Sequence, residues 1–313
     1  MSTYKYVFGP VPSRRLGRSL GVDIIPSKLC TLDCIYCEVG KTDKRGLARK
    51  EYFPTNEIID EVRHALNEFT QIDYVTVTGS GEPTLHKGIG EIIHAIKGMT
   101  SVPVAVLTNG TLLYLPEVRA SLLEADVVSP SLDAVTDDVF QKIDRPNPKL
   151  RLQEIIEGMK QFRREYKGKL WIEVLFVKGI NDSDDEVQKL KKVLDEIQPD
   201  KIHLNTVVRP PTEFFALPVS ENRMREIQQV LGEKAEIISS FSLHQKDDKI
   251  TPHSELILAA LERRPMTSDE LAAALSVSQE NILQLLHQLE ETKKVREVMF
   301  DGKLFYQYEN KRF

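Results

Sequence analysis

From residue 19 to about 240, two apolar patterns alternate along the chain. One is short and continuous. Ser19–Ile25, Tyr74–Thr78, Pro103–Thr108, Asp126–Leu132, Leu170–Val177 and Lys201–Val208 are rich in β-branched residues, and several are apolar on both faces. Parallel strands sandwiched between helices show that pattern. The other pattern has helical period. In 56–69, Ile58, Ile59, Val62, Leu66 and Phe69 form one stripe, and similar stretches lie at 88–98, 115–124, 150–166, 184–197 and 220–232. Six strand–helix repeats with short links predict an α/β fold with a parallel sheet, either open or curled into a partial barrel. In both forms chemistry gathers at the carboxyl ends of the strands.

The pattern changes after Phe241. His244–Lys249 is polar and reads as a linker, so 1–243 is expected to form one unit, 244–250 a connection and 251–313 a second unit. In the second unit helices are predicted at 254–264, ended by Pro265, and from Thr267. Thr267 and Glu270 have the spacing of a capping box. A third helix is predicted at 278–291, with Ile282, Leu285, Leu286 and Leu289 on one face. Val295–Phe300 and Lys303–Tyr308 flank Asp301-Gly302, a hairpin turn dipeptide. Three helices followed by a hairpin resemble a winged helix-turn-helix.

Composition narrows the class. With 313 residues, 41% hydrophobic and 28% charged, the chain is that of a globular protein with a sizeable core, not a disordered one. No apolar run is long enough for a membrane helix, and the first residues lack the apolar stretch of a secretory leader. The chain has 3 cysteines. A disulfide framework is therefore not expected, and a reducing cytoplasm is the expected compartment. The net charge of −5 is unevenly spread. Residues 1–50 carry ten basic and four acidic side chains, whereas residues 251–313 carry eight and ten. The basic end suits an anionic substrate or cofactor.

All three cysteines fall in Cys30-Thr-Leu-Asp-Cys34-Ile-Tyr-Cys37, directly after a predicted strand. Three thiolates on one loop suffice for three corners of an iron–sulfur cube and leave the fourth iron open. The competing reading of the loop is a zinc site of three cysteines and a histidine, but no histidine lies near it.

With this spacing in this place, the chain resembles the radical S-adenosylmethionine superfamily over roughly residues 6–240. An aromatic residue before the last cysteine, here Tyr36, is part of the likeness. The resemblance implies a partial (β/α)6 TIM-like barrel in which Cys30, Cys34 and Cys37 hold a 4Fe–4S cluster and S-adenosyl-L-methionine chelates the open iron. It further implies a one-electron donor such as flavodoxin or ferredoxin, reductive cleavage of the sulfonium, and hydrogen abstraction by a 5′-deoxyadenosyl radical. Gly79-Ser80-Gly81-Glu82 stands where the family places a Gly-Gly-Glu-like turn for the cofactor's amino group, with Ser80 replacing a glycine. Asn109, after the third strand, is a second cofactor candidate or else a left-handed turn residue. Ser131 and Asp133, after the fourth, stand where relatives bind ribose and carboxylate. Asp133 would equally cap a helix starting near Thr136. Arg209, after the sixth, is either substrate-facing or solvated.

Phe8–Gly17, rich in turn formers and arginine, resembles the amino-terminal signature of a subgroup related to 4-demethylwyosine synthases, a tRNA-modifying branch. Arg14, Arg15 and Arg18 there would guide an anionic substrate or decorate a packed strap. That branch uses additional cysteines for a second cluster, and none follows Cys37. The acidic winged-helix unit is a poor match for nucleic acid, since its presumed recognition helix has no Lys or Arg before Lys293. The leading expectation is a radical enzyme whose substrate is RNA, a peptide or a small anion. The alternatives are a wyosine-like tRNA-modifying enzyme and an iron–sulfur transcriptional regulator that binds DNA.

Overall fold

The computed structural model describes residues 4–42, 44–238, 254–275 and 277–309. The expected linker at 244–250 lies outside these residues.

The chain opens with an antiparallel hairpin of β1 (Val7–Ser13) and β2 (Gly17–Asp23). In the loop that follows, β3 (Leu29–Cys30) pairs with β4 (Lys44–Arg45). Strands and helices then alternate: α1 (Thr55–Glu68), β5 (Tyr74–Thr78), α2 (Ile89–Met99), β6 (Val104–Thr108), α3 (Pro116–Ser121) and β7 (Val127–Pro130). The crossover to β8 (Lys169–Phe176) holds α4 (Asp137–Ile143) and α5 (Leu152–Glu165). After it come α6 (Asp184–Ile197), β9 (Lys201–Thr206), α7 (Glu221–Leu231) and β10 (Ala235–Ile237). Eight strands form one sheet in the order β1-β2-β5-β6-β7-β8-β9-β10, parallel throughout except for β1. The apolar stripes of the helices, such as Ile58, Ile59 and Val62 of α1 and Ile89, Ile92, Ile93 and Ile96 of α2, are buried in the main core with the strands.

Contacts across the concave face show that the sheet curls. At about 4.8 Å per strand, β2 and β9 would stand about 24 Å apart in a flat sheet. Yet Arg14, in the β1–β2 turn region, donates to Asn205 on β9 at 2.8 Å, and Arg15 pairs with Glu173 on β8. Leu16 packs beside them against Ala105, Val127 and Trp171. The hairpin turn thus reaches into the concave side of the curled sheet.

The C-terminal part consists of α8 (Ser254–Arg263), α9 (Ser268–Leu275), α10 (Gln279–Glu291) and the hairpin β11 (Val295–Phe300) with β12 (Lys303–Tyr308). It has its own core around Ile257, Leu271, Ile282, Leu286 and Tyr306, against which Val11 of β1 also packs. The capping box forms as predicted: Glu270 N donates to Thr267 Oγ1 and Thr267 N to a Glu270 carboxylate oxygen, both at 3.2 Å. Among the described residues no helix is long and apolar enough to cross a membrane.

Three local expectations are corrected. Most of Phe8–Gly17 is strand, because an edge strand tolerates Pro10 and Pro12 where no neighbour needs their missing N–H, and the ladder shifts register between Phe8 and Val11. The β7–β8 crossover contains two helices rather than one, and the short β10 extends the sheet. Finally, several strands stop short of their apolar runs. Ile24, Ile25, Ser131, Leu132, Val177 and Val207 lie beyond strand ends, in the loops that carry the site.

Candidate active site

The cysteine loop leaves β2 through buried Ile24 and Ile25 and turns at Lys28, whose φ is 63°. Its backbone is bonded to the turn after β5, to the end of α4 and the segment after it, and to the segment after β9. Lys28 N donates to Ser80 O at 2.8 Å, and Leu29 O accepts from Glu82 N at 3.0 Å. Thr31 O accepts from Asn147 N at 2.9 Å, while Asp33 N and Ile35 N donate to Asp144 O and Ile143 O at 3.0 and 2.9 Å. Cys37 O accepts from Thr212 Oγ1 at 2.9 Å. The close approach to β5 requires glycine, since a Cβ on Gly81 would overlap the carbonyl of Leu29.

The three thiols act on one another. Burial pushes Cys30 up to about 12, with the charges of Glu82 and Cys37 adding to it. Burial, Asp144 and the other two cysteines push Cys34 well up, and burial raises Cys37. Backbone N–H groups of Leu32 and Thr31 point at Cys30, and those of Val39 and Gly40 at Cys37, which favours negative sulfur. These are thiols that become thiolates against a bound cation. Among the described residues no three His, Cys, Asp or Glu side chains converge on the position of a single metal ion. A cube gives each thiolate its own iron and does not require that convergence. The donor set therefore fits a cluster.

The predicted turns surround this loop. Glu82 is 1% exposed and accepts from Thr84 N, Thr84 Oγ1, Thr108 Oγ1 and Asn109 N at 3.0, 2.5, 2.6 and 2.7 Å. Its carboxylate thus joins the turn after β5 to the turn after β6, and these bonds partly offset the upward push of burial. Asn109 donates to Thr31 Oγ1 at 2.8 Å and reaches Cys30 Sγ at 3.4 Å, so it binds the cysteine loop; the left-handed residue is Gly110, with φ 73°. Ser80 Oγ donates to Asp23 at 2.5 Å. Asp133 accepts from Leu175 N at 2.7 Å and from the Tyr36 hydroxyl. It does not cap α4. The helix has no side-chain cap, and Glu186 accepts from Val135 N and Thr136 N just ahead of it at 2.8 and 3.2 Å. Asn109, Ser131 and Asp133 line one small cavity, whereas Gly79 and Ser80 line a larger one.

Some residues of the site carry no motif. Asp144 accepts from Cys34 Sγ at 3.2 Å, and burial and the charge of Asp133 hold its carboxyl well above the usual range. Its only signal was the turn-rich run Asp144–Pro148. Arg209 is 1% exposed, not solvated: it pairs with Glu38 at 3.3 Å and with Glu270 of α9 at 2.8 Å.

The family model for the Radical SAM superfamily matches residues 24–190. A UPF0026 protein of Methanocaldococcus jannaschii is 33% identical over 309 residues, covering 96% of this chain and 94% of that protein. A protein of Brachyspira hyodysenteriae bearing the name GTPase Obg is 39% identical over 305 residues, and the chain spans 45% of its length. Among solved structures, a radical SAM methyltransferase from Sphaerobacter thermophilus shares the fold with a TM-score of 0.53 and 19% identity, over 70% of this chain and 66% of that one. Members of the superfamily work with S-adenosylmethionine and a 4Fe–4S cluster. With a three-cysteine loop at the carboxyl ends of parallel strands and these matches along its length, the chain belongs to the radical SAM superfamily of enzymes, among the UPF0026 proteins.

Proposed function

We propose that this chain is a single-cluster radical enzyme that takes hydrogen from a substrate held inside the curled sheet. The observation that carries the reading is the cysteine loop itself: three partly buried thiols on one short segment, bonded to the end of β5 and to the segments after α4 and β9. Cys30, Cys34 and Cys37 would hold a 4Fe–4S cluster. S-adenosylmethionine would lie against Gly79–Gly81, Asn109, Ser131 and Asp133, with Tyr36 fixing Asp133. When bound and reduced by one electron, this pair supplies the radical that abstracts hydrogen. Around it, Glu82 holds two turns in register, Gly81 lets the turn approach the loop, and Asp144 stands against Cys34.

With 3 cysteines the chain cannot ligate a second cluster through cysteine, which weighs against a wyosine-type reaction. The regulator reading draws no support from the matches. We read 251–313 as a winged helix-turn-helix that serves the barrel. Its α9 lies against β1, and Glu270 is committed to Arg209.

The test is anaerobic reconstitution. The protein should bind about four irons, as one cube requires, and release 5′-deoxyadenosine when reduced with dithionite. Cys34→Ala should lose both. A Cys34→Ala protein that keeps its iron and its 5′-deoxyadenosine release would overturn the reading.

A further inference from the structure

A cavity of about 450 Å³ lies on the concave side of the sheet, between the β1–β2 hairpin and helices α8 and α9. Its walls have three origins. Asp23 and Thr76 come from the sheet, Ser80 from the turn assigned above to the cofactor, and Glu38 from the residue following Cys37. The remaining polar wall combines hydroxyl residues and Glu68 with five arginines, Arg18 among them. Arg14 and Arg15 rise from the β1–β2 turn, and Arg263 and Arg264 come from the end of α8.

Most of these cations are matched. Arg15 pairs with Glu173, and Arg209, behind the wall, pairs with Glu38 and Glu270. Arg263 lies over the Phe8 ring at 4.4 Å and is favoured by the charge of Asp23. Arg14 donates to the amide of Asn205, and the charges of Glu38 and Glu173 favour its own. Arg264 differs: among the described residues it has no hydrogen bond or ion pair, although it lines the cavity. Burial, followed by the charge of Arg209, brings its guanidinium down to about 10. Glu38 and Glu270 favour its charge, but both are already hydrogen-bonded to Arg209, so a desolvated guanidinium with no hydrogen bond of its own lines the cavity and suits an anion from outside.

We infer that this cavity takes a small organic anion whose carboxylate or phosphate group is held by Arg264 together with Arg14, so that the C-terminal helices complete the substrate site of the barrel. The volume lies within the range of small-molecule sites, on the order of 300–1,000 Å³. The cavity wall runs from these arginines to Ser80 and Glu38, which places an anchored molecule next to the proposed cofactor turn. That the bound anion is the molecule losing hydrogen rests on the reading under Proposed function. The anion site itself does not.

The full chain, reconstituted with iron and sulfide, is titrated calorimetrically with inorganic phosphate and separately with succinate. Saturable binding of at least one is expected. In Arg264→Gln it should weaken roughly tenfold or more, as for the loss of a charged hydrogen bond. Arg264→Lys should recover part of it, and Arg225→Gln, on the exposed side of α7, should bind as wild type. The preferred probe names the acid group. No saturable binding of either, or equal binding by Arg264→Gln, overturns the inference. Release of 5′-deoxyadenosine is measured on the same preparation. Anion binding without that release removes the radical reading and leaves the anion site, and the reverse removes only the anion site.

Discussion

The guanidinium of Arg209 lies 2.8 Å from the carboxylate of Glu270, an ion pair that joins the exit of β9 to the first turn of α9. The same guanidinium is 3.3 Å from Glu38, one residue past Cys37. Burial opposes the charge on Glu38, but Arg209, Arg14 and Arg264 outweigh it and hold the carboxyl below its ordinary range. One buried cation therefore connects the cysteine loop to the C-terminal helices. Removing it leaves two carboxylates in a poorly hydrated place. Arg209→Met should destabilise the protein by about 3–5 kcal/mol, the usual result of breaking a buried pair. Adding Glu38→Gln and Glu270→Gln should return much of that loss. Urea denaturation of the variants measures both effects, and a single variant as stable as wild type would show that the pair contributes little.

Gly81 is a position where volume decides. A Cβ there meets the backbone of Leu29, which cannot swing aside as a side chain end would. Gly81→Ala should therefore lower both the melting temperature and the iron content after reconstitution, since the displaced strand carries Cys30. Gly98→Ala, whose added Cβ meets nothing within 4 Å, is the matched control. Equal iron loading in the two variants would contradict the argument.

Glu82 is enclosed by four protein donors, so its effect on a cofactor is through position. Glu82→Gln turns one acceptor into a donor facing donors. The expected cost is about 2 kcal/mol of stability, with weaker S-adenosylmethionine binding and iron content near that of wild type. Equilibrium dialysis against the cofactor gives the readout. Unchanged affinity would mean that the two turns hold their shape without the carboxylate.

His203 gives the pH dependence. It is 2% exposed, its Nδ1 has no hydrogen-bond partner, and burial, then the charge of Arg15, lowers it from an ordinary 6.5 to about 4. The unfolded chain thus takes up this proton first as the pH falls. Stability is complete above about 6.5 and declines between 6.5 and 4. At pH 5 the loss from this residue should be about 2 kcal/mol. His203→Phe, which keeps a ring against Trp171, should lose less stability than wild type between pH 7 and pH 5. Parallel slopes in paired denaturation curves would refute it.

Much of this was legible before any coordinates. Alternating β-branched runs and helical stripes gave the repeat order, and the spacing of Thr267 and Glu270 gave a cap whose two bonds both form. The cysteine spacing located the centre of the site because its chemistry is local, within eight residues. The burial of Arg209 has no local signal, for the opposite reason. Its partners lie 171 and 61 residues away in sequence, and nothing beside it in the chain says that a helix will cover it. Asp144, 110 residues from Cys34, carries no local signal of their contact, on the same ground. The arginines of the hairpin turn were recognised as a group, but only the curl of the sheet puts them inside it. Long-range electrostatics depends on closure, and closure leaves no local pattern.

The hydrogen bonds that hold the cysteine loop include those from Ser80, Glu82, Asn109, Ile143, Asp144, Asn147 and Thr212, all of them protein groups. Protein groups alone thus supply the bonds that shape the loop, whereas small zinc domains fold only around their ion. On that basis cluster assembly would be loading of a finished receptacle. Chelation should then empty it without melting the chain, and iron and sulfide added back to the same polypeptide should refill it.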